Sequence, residues 1–256
     1  MKKAILLLAL LFIGFGLFAQ EMITDRPDQT ESAYTVPKHM LQIETGASIE
    51  GDKDNGIETT TKNYGSTLLR YGLLDNLELR FGFDYQDETV KTGENSPEIS
   101  TAGFAPLEVG MKLMIIEESG WVPRLALLGG VTIPRTGESD FSTKYYAPMF
   151  RLNGEYSLAE WVSFGFNFGA EWDGYIPNTT GYYSGVFGFG LTDWLAGFIE
   201  AYGFVTEELK PDHRSDAGFT FLVLPNLQFD LSGGLGVSEV SPDYFLNCGV
   251  TWRIPR

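Results

Sequence analysis

The clearest alternation in the chain lies between Asp216 and Val237. Leu227, Phe229, Leu231, Leu235 and Val237 share one parity, and Gln228, Asp230, Ser232, Gly234 and Gly236 take the other. Successive side chains of a strand point to opposite faces, so this stretch predicts a strand with one apolar and one polar face. Upstream, Phe219, Phe221 and Val223 alternate with Asp216, Gly218 and Thr220. Leu-Pro-Asn-Leu joins the two arms. Pro225 presets the turn and removes a ladder donor, and Asn226 tolerates unusual φ. The stretch therefore predicts an antiparallel hairpin with long arms and a very short turn.

The same period of two recurs through the rest of the chain. It predicts strands near His39–Glu50, Asn63–Leu73, Leu77–Gln86, Leu107–Ile115, Arg124–Ile133, Phe150–Tyr156, Val162–Trp172, Tyr183–Leu191, Trp194–Phe204 and Tyr244–Ile254, besides the two hairpin arms. Polar loops are expected after Glu50 and over Asp87–Thr101. Twelve strands result, joined by six longer loops and five tight turns in alternation. Bacterial outer-membrane barrels have an even strand number, short periplasmic turns and longer outer loops. The pattern thus predicts an all-β fold: a single 12-stranded antiparallel transmembrane outer-membrane β-barrel over residues 39–256. Trp121, Trp161, Trp194 and Trp252 fall at turn-side strand ends. Tyr85, Tyr145, Tyr146, Trp172, Tyr182 and Tyr244 fall at loop-side ends, so two aromatic girdles are expected. A secreted soluble β-sandwich also carries one apolar face per strand, but its strands are usually shorter, about 5–6 residues.

If the apolar parity meets lipid, the polar parity lines the interior. It offers Arg70, Arg80, Lys112, Arg124, Arg151 and Arg253, with Glu44, Glu78, Asp84, Glu108, Glu155, Glu171, Glu200, Asp216 and Asp230. Such a set makes a hydrophilic lumen that holds its shape by pairing and offers a path to small solutes. Glu200 shares its parity with Phe198, Tyr202 and Phe204. That parity is placed inside because a lipid-facing carboxylate is costly. Residues 21–38 are polar, with two prolines and no period. Asp25, Arg26, Asp28 and Glu31 in this segment are candidates for a lumen plug. A solvated periplasmic tail is the competing expectation.

Composition sharpens the picture. Residues 1–20 open on Met-Lys-Lys and run apolar to Ala19, as in a cleaved signal peptide. The formal net charge is −16, and two of the basic residues belong to that leader. An acidic exported chain argues against nucleic acid as a partner and leaves outer-membrane lipid and a small-molecule solute. The lone Cys248 excludes an intramolecular disulfide. The two histidines, His39 and His213, are expected at opposite ends of the barrel, so no Ser–His catalytic pair is predicted. No metal-spaced His/Cys/Asp cluster is evident, and no cofactor is expected.

Two stretches also resemble a known family. T-D-R-P-D-Q-T-E-S and V-P-K-H-M-L-Q-I-E-T-G near the N-terminus are similar to the start of Bacteroidetes-type members of the meta-pathway-of-phenol-degradation family, often called simply "transporter". Asp216-x-Gly218 and P-N-L-Q-F-D-L-S-G-G-L-G resemble its C-terminal signature, and L-E-V-G-M-K-L and P-R-L-A-L-L-G-G-V-T-I-P its middle strands. The resemblance covers nearly all of the chain after residue 20. It implies an outer-membrane barrel suspected of moving small hydrophobic or aromatic compounds, and it marks no catalytic residue. The terminal T-W-R-I-P-R departs from the aromatic residue that commonly ends bacterial barrels. The expected function is passive passage of small molecules; a non-conducting structural or surface-interaction barrel is the alternative.

Overall fold

The computed structural model describes residues 22–93, 96–207 and 209–254. The expected leader lies outside them. The strands are β1 (Leu41–Asp54), β2 (Ile57–Leu74), β3 (Leu77–Thr92), β4 (Glu98–Phe104), β5 (Glu108–Ile116), β6 (Arg124–Thr132), β7 (Ala147–Ala159), β8 (Val162–Glu171), β9 (Thr180–Thr192), β10 (Leu195–Thr206), β11 (Asp212–Leu224), β12 (Leu227–Gly236) and β13 (Tyr244–Ile254). Neighbours pair antiparallel in chain order, and β1 pairs with β13 from Leu41↔Ile254 to Gly51↔Tyr244. The sheet therefore closes on itself through the β1–β13 pairing, which excludes a two-sheet sandwich; the short β4, paired only with β3, keeps one free edge at the rim.

Thirteen strands fill twelve positions around the wall. The upper part of β3 pairs with β4 from Tyr85↔Phe104 to Lys91↔Glu98, and its lower part pairs with β5 from Leu77↔Leu113 to Gly82↔Glu108. β4 and β5 are thus one wall position interrupted at Ala105-Pro106-Leu107, where Pro106 has no N–H to give the ladder.

The two polar loops expected early in the chain are mostly strand. β1 and β2 run on to a two-residue turn at Asn55-Gly56, both with positive φ (49° and 81°), the geometry of a type I′ hairpin. β3 runs on to Thr92 instead of ending near Gln86, and β4 occupies Glu98–Phe104. Beyond the lipid band both faces of a strand can be polar. The apolar alternation stops there while the backbone ladder continues, carried by β-branched residues such as Thr59, Thr60 and Thr61.

The faces are inverted relative to a soluble protein. Met111, Phe150, Phe168 and Leu231 are each more than half exposed, whereas Glu78, Lys112, Asn153 and Asn167 are fully buried. An exposed apolar band around a closed wall is the surface that a hydrocarbon solvent requires. The chain is an outer-membrane β-barrel. Trp121, Trp161, Trp194 and Trp252 are exposed at the tight-turn end, and Tyr145, Tyr146 and Tyr244 at the other. Tyr182 departs from the expected girdle. It is buried inside with Tyr202 and Phe245, because it shares the parity of Ser184 rather than that of Tyr183 and Phe187.

Candidate functional site: the barrel lumen

Residues 22–38 form an irregular strap that crosses the barrel interior. Buried peptide groups with no ladder must find other partners. Here inward wall side chains supply them. Glu44 accepts from the Asp25 N–H at 3.1 Å, Glu200 from Gln29 N–H at 2.8 Å, Asn167 from Glu31 N–H at 2.7 Å and Glu78 from Val36 N–H at 2.8 Å. Strap carbonyls are met in the same way. Gln42 donates to Ile23 at 2.9 Å, the Tyr182 hydroxyl to Gln29 at 2.8 Å, and Arg70 to Tyr34 at 3.2 Å. Contacts to both β1 and β9 place the strap within the lumen.

The strap's principal charge contact is Asp25. Its carboxylate lies 2.8 Å from Lys112 Nζ, 2.5 Å from Arg80 and 3.0 Å from Arg70. Arg70 also reaches Glu44 at 2.7 Å and Glu78 at 2.9 Å, and Arg80 reaches Glu31 at 2.8 Å. Three cations and four carboxylates form one buried network in which the strap contributes Asp25 and Glu31. Burial alone would raise the Asp25 carboxyl. The Arg70, Lys112 and Arg80 charges outweigh it and hold Asp25 well below the usual carboxylate range.

Arg26 makes a second contact. Its guanidinium pairs with Asp230 at 3.1 Å and donates to the Cys248 carbonyl at 3.1 Å. It lies across Gly46 and Gly249, which face each other in the β1–β13 register, and a Cβ at either would collide with it. Glycine at both positions leaves the guanidinium room to lie against the wall.

Asp28 meets a different environment. Burial and the neighbouring Glu200 and Asp216 carboxylates push its carboxyl well above the usual range. Glu200 and Asp216 are register partners on β10 and β11. Glu200 also contacts the Thr30 hydroxyl, which bonds Ser184 Oγ at 2.8 Å.

The remaining candidates spread around the wall. Arg124 stacks over the Tyr34 ring at 4.0 Å, and Glu155 lies against the Ala33 backbone. Arg151 pairs with Glu171 at 3.2 Å and stacks over Tyr182 at 3.9 Å. Arg253 donates to Gln42 at 2.8 Å. Asp84 and Glu108 line a cavity of about 320 Å³ between the strap and the β2–β5 wall, with Arg80, Leu68 and Pro106. His39 and His213 are not brought together. They bond Tyr71 and Tyr183 respectively, near opposite ends of the wall. Among the described residues no group of His, Cys, Asp and Glu has the geometry to hold a metal. The neutral amides Gln42, Asn153 and Asn167 were not among the expected site residues. Their only signal was the inward parity they share with the charges.

A family profile described as "Putative MetA-pathway of phenol degradation" matches residues 24–254. The chain belongs to this family. No curated protein matches it at the sequence level. Among solved structures, it is similar to the COG4313 outer membrane channel from Pseudomonas putida F1. The TM-score is 0.67 at 13% identity, over 87% of this chain and 98% of that one. It is also similar to the translocator domain of autotransporter NalP from Neisseria meningitidis, with TM-score 0.55 and 11% identity over 84% and 88%. A third is the KdgM porin in complex with disordered oligogalacturonate, with TM-score 0.51 and 9% identity over 82% and 98%. At these identities the likeness is one of fold: a closed outer-membrane barrel.

Proposed function

We propose that this family member is a passive outer-membrane channel for small molecules, hydrophobic or aromatic compounds among them, whose conductance is limited by its N-terminal strap. The observation that carries the reading is how the strap is held. Residues 22–36 add no strand to the wall. They are bound by side-chain hydrogen bonds and ion pairs inside a barrel that is closed without them. Such a segment can leave without opening the sheet. The family's description and the inward Tyr182, Tyr202 and Phe245 support aromatic solutes.

A liposome-swelling series with sugars, amino acids and aromatic acids tests the solute class. Faster swelling with aromatic acids than with sugars of similar size is expected. Equal rates would reject the aromatic preference. The strap's many wall contacts also suit a non-conducting barrel, and complete absence of conductance with and without the strap would establish that reading instead.

A further inference from the structure

The strap is held at two places of opposite electrostatic character. Asp25 faces three cations, whereas Asp28 faces two carboxyls and forms no ion pair among the described residues. Glu200 and Asp216 are register partners on the adjacent strands β10 and β11, and both are buried. Two neighbouring buried carboxyls cannot both ionise without a high cost, so the pair favours keeping a proton. Asp216 is 8% exposed, and its Oδ1 is buried without a partner, so this pair has unused capacity for a proton.

Among the described residues, the cations around the group are each engaged elsewhere. On β9, Tyr182 faces the group and is covered by Arg151, which pairs with Glu171 on β8. On β10, Tyr202 packs alongside. Arg214 on β11 is occupied by Asp212 and Glu50, both at 2.7 Å. Asp230 on β12 is occupied by Arg26. Asp25 on the strap itself adds a further negative charge.

We propose that Asp28, Glu200 and Asp216 form a proton-operated latch on the strap. Protonated, the trio holds the Asp28–Glu31 stretch against β9–β11 through Glu200 and the Gln29 and Thr30 contacts. Deprotonated, three carboxylates repel one another and release that stretch, while the Asp25 cluster keeps the other part docked. The latch rests on the strap limiting conductance. A carboxyl whose docked value is raised binds its proton more tightly docked than free, so docking is favoured at low pH and weakens as pH rises from the ordinary carboxylate range. Asp25 is depressed, so its contribution is present throughout that window and is lost only in strong acid.

The test is planar-bilayer conductance of the full chain from about pH 5 to about pH 9, beside Asp28→Asn and a chain lacking residues 22–35. Wild-type conductance should rise several-fold with pH. Asp28→Asn should stay low across the range, and the strap-less chain should be high and flat. A flat wild-type profile beside a strap-less increase overturns the latch and leaves the strap reading standing. A strap-less chain no more conductive than wild type overturns the strap reading itself. Should Asp28→Asn not fold, as judged by heat-modifiable migration, the wild-type profile against the strap-less one decides alone.

Discussion

Asp25 concentrates the strap's charge contacts on one buried carboxylate. Breaking a buried ion pair by removing one partner costs about 3–5 kcal/mol, because the other charge stays desolvated. Asp25→Asn keeps the shape and deletes the charge, leaving Arg70, Arg80 and Lys112 to share Glu31, Glu44 and Glu78. Limited proteolysis in detergent is therefore expected to cut the strap of this variant far faster than that of wild type; equal cutting would mean that Asp25 does not hold it. At this scale the sequence was half legible. Arg70, Arg80, Lys112 and Asp25 stand out as charges on an inward parity or a polar leader-proximal segment. Which of them meet was not readable, because the strap has no period to fix its path. Its peptide groups also look alike from residue to residue, so the bonds from Asn167 and Gln42 carry no signature. Tyr182 was misplaced because Tyr182 and Tyr183 offer an aromatic ring on either parity.

The strands and the strap were legible to different degrees. Wherever lipid imposes an apolar face, as in β3 up to Phe83 or β12 throughout, the period of two marks the strand directly. Above the lipid band that constraint lapses, and the upper parts of β1, β2, β3 and β4 read as loop although their ladders continue. The Asn55-Gly56 pair was the available signal for the first of these hairpins. The strap's fit against the wall makes its own prediction. Gly249→Val places a branched side chain where the Arg26 guanidinium lies and leaves the lipid face unchanged. The variant should keep heat-modifiable migration while losing the Arg26–Asp230 pair, and its conductance should rise. Unchanged conductance in a folded Gly249→Val barrel would show that Arg26 docking does not limit passage.

The charge balance of the lumen sets the behaviour of the whole molecule. Arg26, Arg70, Arg80, Lys112, Arg151 and Arg214 each pair with a carboxylate; among the described residues Asp28, Asp84, Glu108, Glu155, Glu200 and Asp216 form no ion pair, against Arg124, which stacks on Tyr34, on the cationic side. Rings of acidic side chains favour cations in a pore. Reversal potentials in a salt gradient should show cation preference for the intact chain. Removing the strap takes away Asp25, Asp28 and Glu31 and uncovers Arg70, Arg80 and Lys112, so the preference should shift toward anions. An intact chain that prefers anions would contradict this balance.

The central claim is that a closed barrel conducts through a lumen limited by its own N-terminal strap. Single-channel recording of the intact chain beside one lacking residues 22–35 tests it most directly. Low or intermittent conductance is expected for the first and a larger, steady conductance for the second. Indistinguishable conductance from the two, with both folded, would contradict it.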